Sequence, residues 1–292
     1  MVEMIGSPDV LASENMEPGC KASLGTPARL SPRPATILGA IDTNVCRQRR
    51  YSSSRKIESN KLSQRLGGGK LVIVEGNIGV GKTTLTQKLA DDLKYKVFLE
   101  PSTDNPFLEK FYADPHKYAL KLQLWILRQR YLTYVSALQH IISTGQGVIL
   151  DRSVYSDCVF ASVCHREGFI SSDGYQTYQY WRDQSLQHLP LPHVTVFLDA
   201  RPQLCHDRIH TRARECESGV SLDYLEKLHQ EYVKFINEMK SDGSQVLTYD
   251  WSTFKDEAIV CEDIRAANRV EWTESDLPTS DLPSLEFPLA EE

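Results

Sequence analysis

Hydrophobic positions follow two rhythms through the middle of the chain. Five short runs are almost continuously apolar: Lys70–Gly76 (KLVIVEG), Lys96–Pro101 (KVFLEP), Gly147–Ser153 (GVILDRS), His193–Ala200 (HVTVFLDA) and Ser244–Trp251 (SQVLTYDW). Between them apolar residues return every three or four positions, the helical period. Strands apolar on both faces belong in a parallel sheet covered by helices on either side. The pattern predicts one three-layer α/β/α domain over residues 69–265, with a five-stranded parallel sheet. A helix follows the first strand through Leu93. The longest helix starts at Asp114–Pro115, an Asp cap followed by Pro at the first helical position. It runs to about Ser143, where Gly145 supplies the C-terminal turn. Leu120, Leu124, Leu127, Tyr131, Val135, Leu138 and Ile142 form its predicted core stripe.

The two ends lack this patterning. Residues 1–68 are rich in Pro, Ser, Gly and Ala, and Arg47–Lys56 (RQRRYSSSRK) carries five basic residues and no acidic one. Such an Arg- and Ser-rich leader predicts import into mitochondria, with cleavage after Tyr51; the alternative is a merely disordered tail, with a cytoplasmic protein. Glu3, Asp9, Glu14, Glu17 and Asp42 run against the import reading, and a start at Met16 removes three of these five. Residues 266–292 are acidic and punctuated by proline, the composition of a disordered tail.

Composition narrows the classes of function. The 292 residues carry a formal charge of −6, which argues against general binding to nucleic acid. No stretch approaches the roughly 20 apolar residues of a membrane span. The seven cysteines (Cys20, Cys46, Cys158, Cys164, Cys205, Cys216 and Cys261) are odd in number and contain no CxxC pair. Free thiols fit better than a disulfide framework or a zinc site.

The chemistry begins at the first strand's end. Gly76-Asn77-Ile78-Gly79-Val80-Gly81-Lys82-Thr83, followed by Thr84, is a complete phosphate-binding loop between a strand and a helix. Its backbone N–H groups and the helix N-terminus cradle phosphates, Lys82 reaches the terminal ones, and Thr83 is a Mg²⁺ ligand. Glu100 ends the second strand, where active groups of open α/β sheets gather. A carboxylate there can take a proton from a hydroxyl attacking the γ-phosphate, although a surface Glu is the bland alternative. Asp151 and Arg152 end the third strand, as a metal-supporting acid and a planar donor fork, or as an ordinary ion pair.

Two further groups depend on context. Gln123 and Arg130 are seven residues apart on one helix face, roughly 10 Å along the axis. They either face solvent or read a flat heterocycle, and a sheltered Arg130 requires a carboxylate partner, for which Asp157 is the candidate. Arg208, Arg212 and Arg214 fall near one side of a helical turn with Glu215 and Glu217 close behind. They form either a solvated helix or a lid that closes over phosphates.

Taken in order, GNIGVGKTTL, LEP, FYADPHKYALKLQLWILRQR, DRSVYSD, RARECESG and SLDYLEKLH resemble the phosphate-loop deoxynucleoside kinases over residues 70–264. The resemblance implies a kinase fold with a helical lid that transfers the γ-phosphoryl of ATP, with Mg²⁺, to a deoxyribonucleoside's 5′-hydroxyl. It implies Glu100 as general base, Arg152 beside the 5′ position, and Tyr112 and Glu217 on the 3′-hydroxyl. Gln123, Arg130 and Asp157 would read the base, and Arg208, Arg212 and Arg214 would form the lid. Retaining both Arg130 and Asp157 resembles the deoxycytidine and deoxyguanosine branch. Asp151 stands where vertebrate members have Glu, and EPSTDNPFLEKFY is closer to bacterial deoxyadenosine/deoxyguanosine kinases, so the preferred base stays open. Members are usually homodimers. The competing class is a non-catalytic accessory subunit of respiratory complex I, which ALQHIISTGQGVILDRSVYSDCVF also resembles. Those subunits generally have a degraded loop, whereas here the loop, Glu100 and the lid arginines are intact. A nucleoside monophosphate kinase shares the architecture but lacks the LEP and Gln–Arg–Asp set.

Overall fold

The computed structural model describes residues 68–100, 105–187, 189–214, 217, 219–270 and 272. The proposed leader, apart from Gly68, lies outside these residues, as does the tail from residue 273.

All five predicted strands form: β1 Leu71–Gly76, β2 Lys96–Phe98, β3 Val148–Asp151, β4 Val194–Asp199 and β5 Gln245–Asp250. They pair in parallel in the order β2-β3-β1-β4-β5. Eight helices are described: α1 Lys82–Leu93, α2 Leu108–Ala113, α3 Pro115–Thr144, α4 Asp157–Arg166, α5 Ser172–Leu186, α6 Pro202–Arg212, α7 Leu222–Asp242 and α8 Glu257–Ala266. Right-handed crossovers decide the layers. From β1 the chain moves toward β2, so α1 lies on one face, where it packs on α8. Every later crossover runs the other way, which puts α3, α4 and α7 on the opposite face.

The long helix forms as its end signals predict. The Asp114 side chain accepts from the Lys117 N–H at 3.2 Å, and Gly145 closes the helix at φ 71°. Its stripe needs one correction. Ile142 is 38 % exposed, and the adjacent Ile141 takes the buried place instead. At about 100° per residue the span from Leu120 to Ile142 overshoots six turns by roughly 40°, which carries Ile142 toward the edge of the buried face. Leu120, at the other end of the stripe, is only half-buried. The fold also extends past residue 265. Ala267 and Trp272 are buried, and the Trp272 indole donates to the Leu191 carbonyl at 2.9 Å. An apolar ring with one polar edge gains enough from burial to hold the first part of the acidic segment against the body.

β1 and β3 are neighbours, yet the chain leaving β1 enters α1 on one face and the chain leaving β3 enters α4 on the other. A crevice opens between such divergent loops, at the carboxyl edge of the sheet.

Candidate active site

The phosphate loop is shaped by glycines that nothing larger can replace. A Cβ on Gly76 would lie 2.7 Å from the Leu198 carbonyl oxygen, and one on Gly79 would lie 2.6 Å from that of Cys205. Both have positive φ, 147° and 78°. Asn77 anchors the loop, its amide donating to the Leu225 carbonyl and its Oδ1 accepting from the Ile78 N–H, each at 2.9 Å. Lys82 turns back on the loop and donates to the carbonyls of Gly76 at 3.1 Å and Asn77 at 2.7 Å. Burial, reinforced by Arg152, lowers this ammonium to about 7, although Asp151, Glu100 and Glu75 oppose the shift. Bound phosphate would supply the compensating negative charge.

Thr83, at the start of α1, donates its hydroxyl to Asp151 Oδ2 at 2.5 Å. The other oxygen, Asp151 Oδ1, is buried without a hydrogen-bond partner among the described residues. A hydroxyl and a carboxylate with an unused oxygen beside a phosphate loop fit Mg²⁺, which usually takes one or two protein ligands and completes its octahedron with water and phosphate.

Opposite the loop stands a group of four charges. Glu100 follows β2, which ends at Phe98, two residues short of it. Its Oε1 accepts from Arg130 Nη2 at 2.5 Å and its Oε2 from Arg152 Nε at 3.1 Å. Arg130 Nη1 donates to Asp157 Oδ1 at 2.9 Å. Asp157 is completely buried, and its second oxygen accepts from the Tyr178 hydroxyl at 2.7 Å. Arg152 is held in the left-handed region at φ 66° by its backbone N–H on the Val74 carbonyl at 3.0 Å. Its side chain donates to the Gly76 carbonyl and to the Tyr232 hydroxyl. Both guanidiniums lie over the Phe160 ring, 5.3 and 4.8 Å from its centre. Burial would raise the Glu100 carboxyl, but Arg130, Arg152 and Lys82 override it and hold it at about 2. Burial raises Asp157, with Arg130 and Tyr178 opposing.

The remaining residues predicted from sequence are placed as follows. Gln123 is 3 % exposed on α3, with its amide nitrogen 3.8 Å from Cys164 Sγ and its Oε1 without a hydrogen-bond partner among the described residues. Tyr112 lies on α2 with its ring 5.6 Å from Phe111. Tyr224 senses both Tyr112 and Arg152: burial, then Cys164 and Tyr112, push its phenol up, while Arg152 pulls it down. Arg208 braces the loop from α6, donating to the carbonyls of Val80 and Trp251 at 3.1 Å and Ser252 at 3.3 Å. Its guanidinium sits 4.3 Å from the centre of the Phe254 ring. Arg212 and Arg214 both pair with Glu217.

Sequence reasoning missed several contributors. Tyr232 and Phe160 read as core residues of amphipathic helices. Glu75, an acid inside the apolar run LVIVEG, was a visible signal. It is wholly buried, accepts from the Ser153 hydroxyl at 2.8 Å, and is raised to about 7 by burial against the pull of Arg152. The Arg130–Asp157 pair was anticipated, but not the contact between Arg130 and Glu100.

Among the described residues no helix is long and apolar enough to cross a membrane. Cys158, Cys164, Cys205 and Cys261 are free thiols. Burial pushes Cys164 up to about 12 and Cys205 to about 11, which leaves them unreactive.

Comparison with known proteins bears on the family and the fold. Residues 72–270 match the family described as deoxynucleoside kinase. Deoxyguanosine kinase of Dictyostelium discoideum is 51 % identical over 199 residues, spanning 68 % of this chain and 70 % of the relative. A mitochondrial NADH dehydrogenase [ubiquinone] 1 alpha subcomplex subunit 10 of Bos taurus is 33 % identical over 251 residues, 78 % of this chain and 73 % of the relative. A deoxyadenosine kinase structure from M. mycoides with bound dCTP superposes with a TM-score of 0.59 at 21 % identity, covering 67 % of this chain and 99 % of that one. That last likeness concerns the fold. Family match, relative and site together mean that the chain belongs to the deoxynucleoside kinases, enzymes that move the γ-phosphoryl group of ATP to the 5′-hydroxyl of a deoxyribonucleoside.

Proposed function

We propose that this kinase prefers a purine deoxynucleoside, deoxyguanosine first, and that the four-charge group is its acceptor site. The observation that carries the reading is the buried Arg130–Asp157 pair, which leaves Arg130 Nη2 directed toward Glu100. A guanidinium fixed on one side by a carboxylate donates well to the O6/N7 edge of guanine, and Gln123 offers the unpartnered Oε1 to a base N–H. The 51 % identity to a deoxyguanosine kinase points the same way.

In this reading Glu100 takes the 5′-hydroxyl proton and Arg152 holds the attacking oxygen beside the phosphates. Lys82, the N–H groups of residues 76–84 and Arg208 hold the donor. Arg212 and Arg214 close on it, and Tyr112 and Glu217 bind the 3′-hydroxyl. Thr83 and Asp151 would hold Mg²⁺, which neutralises phosphate charge when bound. The Arg47–Lys56 leader supports mitochondrial import, and a relative with mitochondrial in its name is consistent with it. A homodimer through the helical layer is supported by exposed Leu132 on α3 and Tyr180 on α5.

Incubating purified protein with Mg-ATP and each of the four deoxynucleosides tests the assignment. The expected order of kcat/KM places deoxyguanosine first and thymidine last. Phosphorylation of none of the four would favour the accessory-subunit reading, which the second relative keeps in view.

A further inference from the structure

Glu100 is committed to two arginines, but the two commitments differ in kind. Arg152 is fixed by its backbone, by the Gly76 carbonyl and by Tyr232. Arg130 has an inward bond and an outward one. The inward partner, Asp157, is completely buried and doubly bonded, so breaking that contact would strand a buried charge. The outward partner, Glu100, has a side chain one-third exposed and is open to exchange. Any group that accepts a hydrogen bond at the pocket face of Arg130 competes with Glu100 for Nη2, while Asp157 continues to neutralise the guanidinium.

Resting on the nucleoside-kinase reading, we infer that Arg130 couples base recognition to activation of the general base: in the free enzyme it holds Glu100, and a nucleobase with a suitably placed acceptor draws Nη2 away and releases the carboxylate to the 5′-hydroxyl. The proton of that hydroxyl then passes to Glu100. The O5′–phosphorus bond forms as the bond from the γ-phosphorus to the β–γ bridging oxygen breaks, and ADP leaves with the electron pair.

Electrostatics supports the direction. Glu100 faces Arg130 from α3, Arg152 from the β3 loop and Lys82 from α1. Asp157 of α4 and Tyr232 of α7 stand beyond them, and Glu75 of β1 stands behind Arg152 and Lys82. With both guanidiniums in place the carboxyl sits at about 2, too weak a base to accept a hydroxyl proton efficiently. Losing one arginine contact moves a carboxylate up by about 1–3 units. A nucleoside whose base fails to engage Arg130 therefore binds beside a base still switched off, so selectivity appears in kcat as well as in KM.

The test compares pH profiles. The acid limb of kcat/KM belongs to free enzyme and that of kcat to the complex. With deoxyguanosine, the kcat limb should lie about one unit or more above the kcat/KM limb. A purine deoxynucleoside lacking the O6 and N7 acceptors should lose about tenfold in kcat. Arg130→Met should bring the two limbs together and even out kcat across nucleosides. The double variant Arg130→Met/Asp157→Ala, which leaves no stranded carboxylate, should do the same if the single one folds poorly. Coincident limbs in the wild type, or a spread in kcat that survives the double variant, would overturn the coupling while leaving the kinase intact. Absence of turnover with every nucleoside would remove the kinase reading and the coupling with it.

Discussion

At the proposed donor end of the crevice the phosphate-binding groups are mostly backbone N–H groups of a glycine loop, with Asn77 and Arg208 bracing the loop through main-chain contacts. At the proposed acceptor end the groups are side chains: Glu100, Arg130, Arg152 and Asp157, drawn from four segments and held by one another. A backbone cradle accepts any polyphosphate of the right shape. A network of paired charges responds to the chemistry of what enters, and losing one member leaves its partners unsatisfied. The first arrangement gives tight but indifferent binding; the second gives discrimination at a cost in stability.

The largest effect that sharpens this contrast is expected from Glu100→Gln. It should reduce kcat by about 10²–10⁴-fold while leaving nucleotide affinity near wild type, since the donor cradle does not use that side chain. Single-turnover assays with a nucleotide-binding titration separate the two. Full turnover in this variant would end its role as base.

Asp157→Ala is next. It leaves Arg130 buried without its inner partner and should lower unfolding stability by about 3–5 kcal/mol, read from denaturant titration. An unchanged midpoint would mean that the acceptor network contributes no more to stability than the loop does.

How much of each end could be read from sequence follows from the same contrast. The loop is contiguous, so the spacing from Gly76 to Thr83 declares it, and the apolar runs declare the strand that presents it. The ion pairs of the four-charge group join residues 27 to 52 positions apart, and only Arg130–Asp157 was derivable, because a sheltered arginine requires a carboxylate. The Glu100–Arg130 contact depends on where α3 crosses the end of β2, and the left-handed Arg152 on the Val74 carbonyl beside it. Neither leaves a periodic trace. Trp272 escaped for a similar reason: one aromatic in an acidic stretch carries no period, yet it is buried against His193 and bonded to the Leu191 carbonyl.

The smallest effect lies at the opposite rim of the sheet and serves as a control. His193 Nδ1 accepts from the Leu71 N–H at 2.9 Å, so the ring is neutral, and burial, then Arg269 and Lys70, lower it to about 3. The unfolded chain therefore binds the extra proton between pH 6.5 and 3, and stability falls as pH drops through that window. Between pH 6.5 and 5.5 the loss should be about 1 kcal/mol. His193→Gln should flatten this slope without altering kcat. A slope that stays unchanged would assign the acid sensitivity elsewhere.

That rim has one more consequence. Lys70 enters β1 while donating to the carbonyls of Ile264, Arg265 and Ala267 at 2.6–2.8 Å, and Trp272 packs against His193 beside it with ring centres 4.1 Å apart and planes tilted by 41°. Where the chain enters its first strand it is clipped to where the last helix ends, at the pole of the sheet remote from the crevice. A reporter or affinity handle joined before residue 68 or after residue 272 would leave from that pole with the substrate mouth unobstructed. The same clip makes a circular permutation that joins these two points and opens the chain elsewhere a practical design.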